Sequence, residues 1–67
     1  MLIKNSIMKK WRVLVHFRYT IGDEQEKDFE SYDIEAKSEE EACEIANKIF
    51  VSTGSVTRFK TEATEIL

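Results

Sequence analysis

Between Trp11 and Ile21 the odd positions are all apolar: Trp11, Val13, Val15, Phe17, Tyr19 and Ile21. The even positions carry Arg12, Leu14, His16, Arg18 and Thr20. Successive side chains of an extended chain point to opposite faces, so this period-two pattern, rich in aromatic and β-branched residues, predicts a strand with one buried face. A strand needs a neighbour to satisfy its backbone and a second layer to cover its apolar face. The rest of a 67-residue chain must supply both.

Gly22-Asp23-Glu24-Gln25-Glu26-Lys27 holds no apolar residue and contains a Gly-Asp pair. It reads as an exposed hairpin loop longer than the tight two-residue kind. A second strand is expected from about Asp28 to Ala36, with Tyr32, Ile34 and Ala36 on its inner face. Alternation fixes the parity of pairing between the two strands. One consistent register sets Phe17 opposite Tyr32, Val15 opposite Ile34 and Val13 opposite Ala36, with His16 facing Asp33 on the outer surface. A shift of two residues keeps parity and pairs Arg18 with Asp33 instead.

Ser38-Glu39-Glu40-Glu41 has the spacing of a capping box. In that motif the Ser38 hydroxyl accepts from the Glu41 N–H and the Glu41 carboxylate takes the N–H of Ser38. Acids in the first turn also suit the positive end of the helix dipole. Ala42, Ile45, Ala46, Ile49 and Phe50 recur at helical spacing and form one apolar stripe. Gly54 is placed to end the helix in a left-handed conformation, which predicts a helix over about 39–53. Ser55 to Leu67 lacks a helical stripe and reads as a third strand with Thr57, Phe59, Thr61 and Ala63 inward. A right-handed crossover lets that strand pair with the first. The expected fold is therefore α+β: a ββαβ chain with a three-stranded antiparallel sheet of order 2-1-3 and one helix on one face. Residues 9–67 form the single domain and residues 1–8 a flexible N-terminal arm.

The inventory removes several function classes. One cysteine, Cys43, excludes an internal disulfide, and one histidine, His16, leaves no zinc-ligand spacing. Two distant glycines, Gly22 and Gly54, cannot build a phosphate-cradling loop. No apolar run is long enough to span a membrane, and the N-terminus lacks the pattern of a signal peptide. A soluble, cytoplasmic protein is the expectation. Cys43 lies in the first helical turn beside three glutamates, which oppose a thiolate; it reads as a half-buried small hydrophobe rather than a nucleophile. His16 reads as a surface residue next to a carboxylate. A small sheet with one helix seldom encloses the pocket that acid–base catalysis needs. No enzyme, cofactor or metal site is expected.

Charge is sorted along the chain. Residues 1–18 hold five basic groups and no acid, residues 19–50 hold eleven acids and three lysines, and residues 51–67 hold two of each sign, for a net charge of −3. Most of this sorting is explained by cross-strand neutralisation, with Arg12, His16 and Arg18 on strand one lying against Asp33 and Glu35 on strand two. The alternative is a basic stripe of Lys4, Lys9, Lys10, Arg12 and Arg18 for nucleic-acid phosphates. Trp11 falls in the buried row, so that stripe has no aromatic on which a base could stack. Parity turns Leu14 and Phe29 to the face opposite the helix, and Leu2, Ile3, Ile7 and Met8 have no place in the core. Together they form an expected docking patch for the arm or for a second copy.

The functional expectation is a small non-enzymatic protein-interaction or accessory domain, homodimeric in its simplest form. The alternative is a nucleic-acid-binding module using the basic N-terminal segment and the outer face of strand one. The expected interaction surface comprises Lys9, Arg12, Leu14, His16, Arg18 and Phe29.

Overall fold

The computed structural model describes residues 7–67. The expected arm, with Leu2, Ile3 and Lys4, lies largely outside the described residues; Ile7 and Met8 are exposed and precede the first strand. The elements run β1 (Lys9–Ile21), β2 (Glu24–Ala36), α1 (Glu39–Ile49) and β3 (Val56–Glu65). The sheet is three-stranded with order β2-β1-β3, and β1 is antiparallel to both neighbours. This is the ββαβ architecture that alternation and capping predict.

The register differs from both expected ones. Trp11 lies opposite Ile34, Arg12 opposite Asp33 and Val13 opposite Tyr32. The cause is the turn. β1 and β2 are joined by Gly22-Asp23 alone, with Gly22 at φ 60°. A two-residue hairpin needs positive φ at its first central position, and glycine supplies it without steric penalty. Once the turn is that tight, every pairing follows. Residues 24–27, expected as loop, are strand.

Residues 24–28 carry no apolar side chain and persist as strand through their backbone pairing with β1, beyond the reach of the helix. Thirteen residues of extended chain run about 44 Å, whereas the 11-residue α1 is about 16 Å long. The molecule measures 58 × 22 × 13 Å, and its hairpin end projects beyond the helix. Burial grades accordingly along β1. Val13 and Val15 are fully buried and Trp11 nearly so, Phe17 and Tyr19 are half-buried, and Ile21 is exposed. The odd row is thus a core only over its first half, with Ile34, Ala36, Ala42 and Ala46 as its buried partners.

Ser38 caps α1 through its hydroxyl, which accepts from the Glu41 N–H at 3.2 Å. The Glu41 carboxylate takes the N–H of Lys37 at 2.7 Å, one residue earlier than the expected Ser38. The helix stops at Ile49, before the expected position 53. Phe50 leaves helical geometry with extended backbone while its N–H still donates to the Ala46 carbonyl. Its ring then stacks on Phe17, centroids 5.2 Å apart, closing the core at that end. Gly54 does not adopt positive φ and plays no part in ending the helix. A turn holds 53–56 through reciprocal Thr53 and Val56 backbone bonds. A bond from Thr61 Oγ1 to Asn47 Oδ1 at 2.7 Å ties β3 to α1.

Candidate functional site

The helix covers one face of the sheet; among the described residues nothing covers the other, the open face. Even positions of β1 face it, together with the β2 and β3 residues opposite them. An irregularity in β3 decides which β3 residues these are. His16 lies opposite Lys60 and Phe17 opposite Arg58, so Phe59 is an extra residue in a bulge between His16 and Phe17. A bulge lets two consecutive residues on one strand face the same side. Phe59 and Lys60 both serve the open face, while Thr61 and Ala63 keep their helix-side positions opposite Val15 and Val13. The inward expectation holds for Thr61 and Ala63 and fails for Phe59 and for Thr57, which lies opposite the outward Arg18.

The result is an aromatic row across three strands. The His16 ring lies 5.8 Å from Phe29 on β2 and 6.1 Å from Phe59 on β3, in tilted geometry on both sides. Phe29 is 52% exposed and Phe59 42%, so the ring surface is available to a partner. Leu14, next along β1, is half-buried. The Arg18 guanidinium sits 4.9 Å from the Phe59 centroid and the Lys27 ammonium 5.7 Å from it, within cation–π range.

The two ends of this face differ electrostatically. Toward the start of β1, charges neutralise as expected: Arg12 Nε meets Asp33 Oδ1 at 3.2 Å, and Lys10 is opposite Glu35. Toward the hairpin they do not. Arg18 lies opposite Lys27, and among the described residues neither makes an ion pair. His16, expected against Asp33, instead bonds Glu62 on β3, Nε2 to Oε2 at 2.6 Å. Lys60 reaches the other Glu62 oxygen at 3.8 Å.

Parity also separates the acids from this surface. Glu24, Glu26, Asp28 and Glu30 occupy the helix-side row of β2, opposite Ile21, Tyr19, Phe17 and Val15. Lys27 and Phe29 lie between them in the open-face row. Glu30 in addition accepts from the Tyr32 hydroxyl at 2.8 Å. The open face has five basic and three acidic side chains by register, although the chain as a whole is at −3.

Of the six residues predicted for the interaction surface, Arg12, Leu14, His16, Arg18 and Phe29 share the open face. Lys9 does not: it falls in the helix-side row opposite Ala36 and meets Glu65 at 3.9 Å. Phe59, Lys27, Lys60 and Glu62 were absent from that prediction. Period-two spacing of the acids at 24, 26, 28 and 30 is the signal that would have found Lys27, because it marks the supposed loop as strand. No comparable signal marks Phe59, whose orientation depends on the bulge.

Cys43 is a free, half-buried thiol on α1. Burial first, and then the Glu39 and Glu40 carboxylates, push its pKa up, against nucleophilic use. The described residues enclose no pocket and hold no group of three metal-ligating side chains. No helix among them is long and apolar enough to cross a membrane. Comparison with protein-family models, curated proteins and solved structures finds no match to this chain.

Proposed function

We propose that this chain is a non-enzymatic interaction domain whose working surface is the open face of the sheet. The observation that carries this reading is the row of Phe29, His16 and Phe59 across three adjacent strands, in which both Phe rings are exposed. An exposed aromatic cluster rimmed by charge is the usual mark of a binding surface. A protein partner fits the apolar part of it, and a second copy of this chain is the simplest such partner. A domain of this size buries only about 60% of the surface its unfolded chain exposes, so association adds burial that the monomer lacks. A single cysteine with a free thiol suits a reducing, cytoplasmic setting.

Nucleic acid is the second reading, and one observation favours it. Arg18 and Lys27 face each other across the strand pair without a carboxylate between them. Like charges directly opposite are destabilising, and an anionic partner would relieve the repulsion.

Backbone NMR tests the surface itself. Spectra of labelled protein are recorded across a concentration series, with light-scattering mass in parallel, and again with added oligonucleotide. Amide shifts should map to Leu14, His16, Arg18, Phe29 and Phe59 in at least one series. Shifts confined to α1 or to the outer edge of β2, or none in either series, overturn the reading.

A further inference from the structure

We infer that the open face binds single-stranded nucleic acid, with unpaired bases stacking on Phe29 and Phe59 and phosphates lying against Arg18, Lys27 and Lys60. This rests on the open face being the working surface and goes further by fixing the chemistry of the partner.

Three observations converge on it. First, aromatic rings and cations are interleaved rather than segregated. Arg18 and Lys27 both approach Phe59, at 4.9 and 5.7 Å, and Phe29 lies beside Lys27's row on β2. Single strands are held by this combination, because each nucleotide offers both a π-face and an anion. Secondly, Arg18 and Lys27 are directly opposed and, among the described residues, have no acidic partner. Lys60 shares its one carboxylate, Glu62, with His16. Thirdly, Glu24, Glu26, Asp28 and Glu30 of β2 lie on the reverse face, which leaves basic side chains in excess on the side from which a polyanion would approach.

The shape selects single strands over duplex. The face is a sheet with two half-exposed rings, and duplex bases keep their faces buried in the stack where such rings cannot reach. Every base has a π-face, and among the described residues no pocket adjoins the rings, so binding should depend little on sequence.

The test is fluorescence anisotropy with a labelled oligodeoxythymidine of about 12 nucleotides, within the span that one small domain covers. A labelled duplex of equal length and heparin as a competitor without bases complete the set. The oligonucleotide should bind more tightly than the duplex. Three phosphate contacts predict a log–log salt slope of about −2, which is a loss of about 20-fold between about 50 and about 200 mM salt. Phe29→Ala and Phe59→Ala should each weaken binding about tenfold. Both residues are exposed, so circular dichroism should show both variants folded. Should Phe59→Ala disturb the bulge, Phe29→Ala carries the stacking test and Arg18→Gln with Lys27→Gln the phosphate test. No oligonucleotide binding at low salt overturns the inference. So does equal binding of duplex, or binding that heparin abolishes and the Phe substitutions leave unchanged, which would indicate an acidic protein or other polyanion. If oligonucleotide fails while Phe29→Ser converts a dimer to a monomer, the nucleic-acid inference falls and the interaction surface stands. If neither assay responds to Phe29 or Phe59, both fall.

Discussion

The indole N–H of Trp11 donates to the carbonyl of Ala36 at 3.0 Å, joining the start of β1 to the end of β2 beneath the helix. Both residues belong to the buried core, so the bond is shielded from water. Replacing Trp11 with Phe leaves the Ala36 carbonyl without this donor and leaves space beside it. Such a loss costs about 1–3 kcal/mol. Urea unfolding followed by circular dichroism should show a lower midpoint by that amount, with an unchanged slope.

The two glycines should respond differently to alanine. Gly22 sits at φ 60° in the hairpin turn, while Gly54 lies outside the positive-φ region with open space around it. Gly22→Ala places a Cβ on left-handed backbone and should destabilise by about 1–2 kcal/mol. Gly54→Ala should fall within about 0.5 kcal/mol of the parent. Thermal melts of the pair separate the turn that sets the register from the loop that does not.

Capping gives a third measurement. Ser38 accepts from the Glu41 N–H, and Glu41 in turn accepts from the Lys37 N–H. Ser38→Ala should cost about 1 kcal/mol, read as a lower unfolding midpoint. Ser38→Asp, which retains an acceptor and adds a charge at the favourable helix end, should restore most of it.

Tyr32 ties stability to alkaline pH. Its phenol pKa is raised above 10.0 by burial first, then by its hydrogen bond to Glu30 and that carboxylate's charge. The folded chain therefore holds this proton where the unfolded chain has released it. Its contribution is fully present below the unfolded value and is lost as pH rises through the folded one. The urea midpoint should fall as pH rises above about 10, and Tyr32→Phe should reduce that fall.

Cys43 should be a slow thiol. Burial and the Glu39 and Glu40 carboxylates disfavour its thiolate, the reactive species. Iodoacetamide should label the folded protein more slowly than the urea-unfolded chain at about pH 8. Glu39→Gln with Glu40→Gln should accelerate labelling of the folded form, and an unchanged rate would contradict the electrostatic part of the shift.

Sequence by itself determined the kinds of element and their order in the sheet. Alternation from Trp11 to Ile21 made β1 a strand with Val13 and Val15 inward, and Ser38 marked the start of α1, because period and hydrogen-bonding capacity are local properties. It also placed Arg12, Leu14, His16, Arg18 and Phe29 on one surface, since parity survives any even shift of register. Tertiary structure decided what parity leaves free. The tight turn at Gly22-Asp23 chose among registers of equal parity and so paired Arg18 with Lys27 rather than with Asp33. The short helix limited the core to half the sheet and left the polar hairpin half of β2 as strand in water. The extra residue in β3 turned Phe59 outward beside His16. Each of these depends on how two segments meet, and a pattern along one segment does not contain that information.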